Sequence, residues 1–168
     1  MSNPKVKIVV KGHGTMIAEL YPDMAPKTVE NFVKLVSEGF YSGMIFHRVI
    51  PGFMIQGGGF TEEHEQKEAA SIKGEFRANG FPQNTLKHTR GVLSMARTMV
   101  PDSASSQIFI MHMDSPHLDG QYAGFGKVIE GEEVIDSIAN VPTTTKMMYY
   151  QDWPVDDVVI ESMELLAD

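Results

Sequence analysis

Cysteine is absent from the 168-residue chain, which excludes a disulfide framework and any thiolate metal site. Long apolar runs are missing as well. No stretch approaches the roughly 20 residues that a membrane-spanning helix needs. The first 30 residues lack a basic segment followed by an apolar run, so no signal peptide is expected. No Asn-x-Ser/Thr acceptor occurs. Positive charge is the scarcer sign: 14 Lys and Arg stand against 22 Asp and Glu, a formal net charge of −8. With no basic cluster to break that trend, nucleic acid and acidic membranes are excluded as expected partners, and the acidity reads as an aid to solubility. The expectation is a soluble, monomeric protein of a reducing compartment, the cytoplasm.

What is present is an ordinary globular mixture, 42% apolar and 21% charged, on a length that suits one domain over 1–168 and not two. Residues 5–10 and 15–21 are β-rich runs around Gly12-His13-Gly14, an opening hairpin. Pro26 suits the first turn of a helix. Val29, Phe32, Val33 and Val36 then share one helical face over 27–38, and Gly39 ends it. Residues 61–70 are polar and acidic, and 71–90 carry Gly74, Gly80, Pro82 and Asn84, so both read as irregular, with Phe76 and Phe81 pinning the second to the body. Short β-rich segments follow at 91–97, 106–112 and 123–129. A second helix is expected over 132–139, a loop over 141–154 and a closing strand over 155–165. Many short strands, two helices and no 20–50-residue repeat argue for an all-β barrel or sandwich, between which pattern alone does not choose.

One stretch stands out. Residues 46–60, FHRVIPGFMIQGGGF, join an arginine, a glutamine and three phenylalanines to a glycine run. Alternation places Phe53 and Ile55 on one strand face and Met54 and Gln56 on the other. Pro51-Gly52 reads as a turn, and Gly57–Gly59 lets the backbone twist or approach a neighbour closely. Arginine and glutamine among apolar residues compose a small pocket with a few placed polar groups, or else a core strand with a solvated arginine.

The wording of FHRVIPGFMIQGG closely resembles the signature of the cyclophilins, peptidyl-prolyl cis-trans isomerases. GVLSMA at 91–96, SSQIFI at 105–110, LDG at 118–120 and FGKV at 125–128 match in the family's order, and the resemblance runs from about residue 6 to about 166. It implies a mainly β fold, a closed eight-stranded antiparallel barrel with a helix over each end. It implies rotation about X-Pro bonds in peptides and unfolded protein chains, with no covalent step, coenzyme or metal. The matching positions give a catalytic set of Arg48, Gln56 and Phe109. They give an apolar wall of Phe53, Met54, Phe109 and Leu118, and Gln56 and Gln107 as holders of the substrate backbone. Ala96 and Arg97 fall where the family pairs a strand edge with the peptide. Three positions depart from the usual pattern. Arg97 replaces asparagine, a change that backbone pairing tolerates. His117 replaces a tryptophan that contributes to cyclosporin binding, so cyclosporin is expected to bind weakly. Tyr122 replaces a histidine and can still close the proline pocket.

Other residues carry less. His47 alternates away from Arg48 and is read as packed rather than as an acid–base catalyst. His64 lies among Glu62, Glu63, Glu65 and Glu68 but lacks the second histidine of a metal motif, so a solvated loop is the preferred reading. His13, His88 and His112 are scattered and carry no functional claim. Gly124–Lys127 lacks the flanking residues of a phosphate loop, and Ser103, Ser105 and Ser106 have no nucleophile-elbow setting. Met147, Met148, Tyr149, Tyr150 and Trp153 are read as packing over the barrel end in preference to a partner surface.

Overall fold

A computed structural model describes residues 3–167. Ten strands and two α-helices follow in order: β1 (Lys5–Val10), β2 (Gly14–Leu20), α1 (Pro26–Ser37), β3 (Arg48–Ile50), β4 (Met54–Gly57), β5 (Val92–Met95), β6 (Ile108–Met111), β7 (Gly124–Glu130), α2 (Glu132–Ala139), β8 (Thr143–Lys146), β9 (Tyr150–Pro154) and β10 (Ile160–Leu165). Eight of them form one antiparallel sheet in the order β10-β1-β2-β7-β5-β6-β4-β3.

Alternation sets the inward face. Val6, Ile8 and Val10 of β1 and Met16, Ala18 and Leu20 of β2 are buried, and the register places Val6 against Ala18 and Ile8 against Met16. From α1, Val29, Phe32, Leu35 and Val36 enter the same core, while Val33 is only partly buried. Phe32, fully buried against Tyr41 and Phe125, contributes about 2–3 kcal/mol by area. Val134, Ile135, Ile138 and Ala139 bring α2 onto that core.

The sheet curls into a half-barrel, and its closure differs from the closed barrel expected from the resemblance. β10 and β3 are the two edges, with no ladder between them. Only scattered bonds cross the seam: Gly43 N–H to Ile160 O (2.8 Å), Ile160 N–H to Met44 O (2.7 Å) and Phe46 N–H to Val158 O (3.0 Å). The reason is local, since β3 is three residues long and the chain before it bridges Thr61 and Val159 singly instead of forming a strand.

Two boundaries also move. The region 141–154, expected as a loop, holds the β8–β9 hairpin, whose Thr143, Thr144 and Thr145 are strand-favouring β-branched residues. The strand expected over 155–165 starts at Ile160, because Val155, Asp156 and Asp157 are exposed and unpaired in any ladder. Trp153 anchors the hairpin, fully buried beside Ile45 and Phe60. The packing expected for the aromatic and methionine cluster therefore holds at Trp153 and Tyr150. It fails at the tip, where Met148 and Tyr149 are 96% and 74% exposed.

The long segment 71–90 is irregular yet fixed. Buried Glu75 accepts from the Thr28 N–H (2.7 Å), the Thr28 hydroxyl (2.7 Å) and the Lys27 N–H (3.2 Å), capping α1 from 47 residues away. Buried Asn84 donates to Glu75 O and Gly124 O.

Candidate active site

Strand register assembles the site. Arg48 of β3 lies opposite Gln56 of β4, Gln56 opposite Phe109 of β6, and Phe109 opposite Ser94 of β5. Directly opposed residues share a sheet face, so these four form one row across four strands. Arg48 Nη1 donates to Gln56 Oε1 at 3.1 Å, and Gln56 Nε2 donates to Gln107 Oε1 at 2.8 Å. That chain fixes which way the Gln56 amide points and holds one of the five guanidinium donors. Arg48 forms no ion pair among the described residues, so its charge is not neutralised beside the site.

The row opens onto a cavity of about 130 Å³. Arg48 and Gln56 form its polar side; Phe53, Met54, Phe109, Leu118 and Tyr122 form its apolar side; Ala96 and Arg97 complete it. Phe53 is on the same side as Met54, against the alternation expected from sequence. The strand begins only at Met54, and Phe53 belongs to the preceding turn, so the two-residue period does not reach it. Gln107 lines an adjoining cavity of about 140 Å³ that shares Gln56, Ala96 and Arg97 with the first. His117 is exposed and stacks on Phe53 at 6.0 Å, outside the residues that line either cavity.

The glycine run serves close approach to the protein's own chain. A Cβ at Gly57 would stand 2.7 Å from Ile45 O, and one at Gly59 would stand 2.5 Å from the Gln107 amide nitrogen. Gly58 has φ +87°.

The chain matches, over residues 5–165, the family model described as cyclophilin type peptidyl-prolyl cis-trans isomerase/CLD. The chain belongs to this family. It is 49% identical to a peptidyl-prolyl cis-trans isomerase of Acinetobacter baylyi, over 90% of this chain and 80% of that one. It is 46% identical to peptidyl-prolyl cis-trans isomerase B of Escherichia coli, over 90% and 93%. Among solved structures it resembles a Cryptosporidium parvum cyclophilin type peptidyl-prolyl cis-trans isomerase crystallised in the presence of the dipeptide Ala-Pro. That likeness has a TM-score of 0.78 at 30% identity, covering 98% of this chain and 99% of that one.

Two supports of this cyclophilin's site escaped sequence reasoning. His88 is buried behind Phe109, its ring stacked at 6.0 Å, with Nε2 2.8 Å from the Ser94 hydroxyl and Nδ1 3.2 Å from Asp119. Burial lowers its pKa, against the opposing pull of Asp119. A loop histidine six residues before its partner leaves no periodic signal. The second is the side chain of Arg97, expected to matter only through its backbone. Its guanidinium lies over the rings of Phe76 (4.7 Å) and Tyr122 (4.6 Å) and donates to Gln121 O (2.6 Å) and Thr98 O (2.9 Å). Arg97 is one of the three residues that line both cavities. Tyr122 in turn meets Phe109 edge-on at 5.6 Å.

His47 is packed, as alternation implied, between Phe60 (4.8 Å) and Trp153 (5.6 Å). Its pKa falls to about 4, chiefly through burial and secondarily through Arg48. It is neutral at physiological pH and faces away from the cavity. His64 pairs with Asp157 at 2.9 Å and packs edge-on against Trp153. Among the described residues, no three His, Asp or Glu side chains group as a metal site would require, and no helix is long and apolar enough to cross a membrane.

Proposed function

We propose that Arg48 catalyses rotation about X-Pro bonds by hydrogen bonding to the imide nitrogen while the bond is twisted. A planar amide has a rotation barrier of about 18–20 kcal/mol because its nitrogen lone pair is delocalised. In the twisted state that lone pair returns to nitrogen and accepts a hydrogen bond. A fixed cationic donor therefore stabilises the transition state more than either planar isomer. An acceleration of about 10⁵-fold requires about 7 kcal/mol. One charge-assisted hydrogen bond supplies roughly 1.5–3 kcal/mol of it. Immobilising the proline ring against Phe53, Met54, Phe109, Leu118 and Tyr122 supplies the rest.

The observation that carries this reading is the Arg48–Gln56–Phe109 row, which puts an unneutralised guanidinium at the rim of an apolar cavity. Gln56 orients the guanidinium. Gln107 and the backbone at Ala96 and Arg97 take the substrate chain, and His117 extends the Phe53 wall outward. Ala96 N–H is already bonded to Gln107 O at 3.0 Å, so the pairing falls to its carbonyl and to Arg97. The substrates are proline-containing peptides and unfolded chains in the cytoplasm, acted on by a monomer that engages neither nucleic acid nor membrane. Cyclosporin binds weakly, for lack of an indole at position 117.

Exchange spectroscopy between the cis and trans signals of an Ala-Pro peptide tests the reading. The protein is expected to accelerate exchange, and Arg48→Ala to lose most of that acceleration. Equal acceleration by both would remove Arg48 from the mechanism. No acceleration by either would leave a peptide-binding module.

A further inference from the structure

Phe53 enters the cavity from a turn, and a turn residue holds its place only as well as the turn is held. The turn's own Phe53 N–H to Ile50 O bond (3.0 Å) is joined by a grip from His112. His112, immediately past β6 and 6% exposed, accepts the Gly52 N–H on Nδ1 at 2.8 Å. Its own backbone N–H donates to Phe53 O at 2.9 Å. The two bonds grip the peptide units on either side of Gly52-Phe53, and Gly52 itself has φ +82°. Because Nδ1 accepts, the ring proton of the neutral histidine sits on Nε2, which faces Asp136 Oδ1 of α2 at 2.9 Å. Asp136 is fixed in turn by two bonds from Arg90 (2.9 and 3.0 Å), and Arg90 Nη1 also donates to His112 O at 3.0 Å. None of these three residues lines the cavity.

We propose that His112 is a positioning residue for the isomerase site. Locked in its Nε2–H tautomer by Asp136, it fixes the 51–53 turn so that Phe53 stands at the proline pocket. The inference rests on Phe53 being part of that pocket. Loss of the Gly52 bond lets Phe53 spread over several orientations, and apparent affinity falls with the fraction that remains competent. Chemistry in the bound complex, which belongs to Arg48, is unaffected.

Two substitutions separate the ring's two bonds. Asn in place of His112 puts an amide oxygen where Nδ1 was and drops the reach to Asp136. Gln puts an amide nitrogen where Nε2 was and leaves Gly52 without an acceptor. His112→Gln is expected to raise KM for an Ala-Pro peptide roughly 3–10-fold with kcat within about twofold, the loss of one net hydrogen bond. His112→Asn is expected to keep KM within about twofold of the parent. A residue needed only for folding would show the reverse order or no split between KM and kcat. Long-range ¹H–¹⁵N spectra of the unsubstituted protein provide a readout that no variant's folding can disturb, and are expected to show the Nε2–H tautomer. An Nδ1–H tautomer overturns the proposal, as does an unmoved KM in His112→Gln or an Asn variant as impaired as the Gln one. Phe53→Ala, run alongside, distinguishes the failures. If it raises KM and His112→Gln does not, the positioning role alone falls. If it too leaves KM unmoved, the pocket assignment has failed and the positioning role goes with it.

Discussion

Acid should loosen this protein through the residue next to Arg48. His47 is 5% exposed, its Nδ1 is buried without a hydrogen-bond partner, and its pKa is held at about 4 against an ordinary 6.5. The unfolded chain therefore takes up a proton near pH 6.5 that the folded chain refuses until about pH 4. Stability from this group is complete above pH 6.5 and drains as the pH falls through that window. Holding the pKa at about 4 and not 6.5 is worth about 3 kcal/mol once the pH is below both values. Between pH 7.5 and pH 5.0 the two-state expression gives a loss of about 2 kcal/mol from His47 alone. The assay is urea unfolding at both pH values, followed by the emission of the lone tryptophan, Trp153, which is buried 5.6 Å from the His47 ring. His47→Leu keeps an apolar side chain of similar volume in the site. Its packing cost enters at both pH values and cancels from the difference. The variant is expected to lose about 2 kcal/mol less than the parent on going to pH 5.0. His88, also depressed by burial, acts in the same direction in both proteins and cancels too. Equal losses in parent and variant would refute the argument, since they would mean that folded His47 accepts its proton as readily as unfolded.

Three further outcomes follow from specific contacts. Gly59→Ala drives a methyl group into the Gln107 amide and breaks its bond to Gln56; kcat/KM should drop roughly 3–10-fold while the melting temperature moves little. Glu75→Ala leaves the buried Thr28 N–H at the start of α1 without an acceptor and should cost about 2–3 kcal/mol in denaturant unfolding, with Glu75→Gln losing less. His117→Trp, placing an indole beside Phe53, should tighten cyclosporin binding about tenfold by calorimetry, or about 1.4 kcal/mol.

Most of the architecture could be read from residue order because alternation and helical period are local signals. Val6, Ile8, Met16 and Leu20 declare the faces of β1 and β2, and Val29, Phe32 and Val36 that of α1. Where reading failed, the cause lay elsewhere in the chain. The β8–β9 hairpin turns through Met147 and Met148 at φ +49° and +70°, without the Asn-Gly pair that signals such a turn. Glu75 looks like any loop carboxylate until its partner, 47 residues earlier, is brought alongside. Alternation extended one residue beyond the strand, which begins at Met54, puts Phe53 on the wrong face. Arg48, Gln56, Phe109, Met54 and Leu118 converge on one cavity, a grouping that the family resemblance implies; period alone leaves Arg48 between a pocket and a solvated strand. His88, His112 and the stacked guanidinium of Arg97 act through tertiary contacts that no short motif encodes.

As proposed above, Arg48 binds the twisted bond better than the planar one. Arg48→Ala, examined with an Ala-Pro peptide by exchange spectroscopy across a concentration series, separates the dissociation constant from the isomerisation rate in the bound complex. The dissociation constant is expected to stay within about twofold of the parent and the bound-state rate to be lower by roughly 10–150-fold, the equivalent of about 1.5–3 kcal/mol. A weakened dissociation constant with an unchanged bound-state rate would contradict it, because Arg48 would then grip ground state and transition state alike.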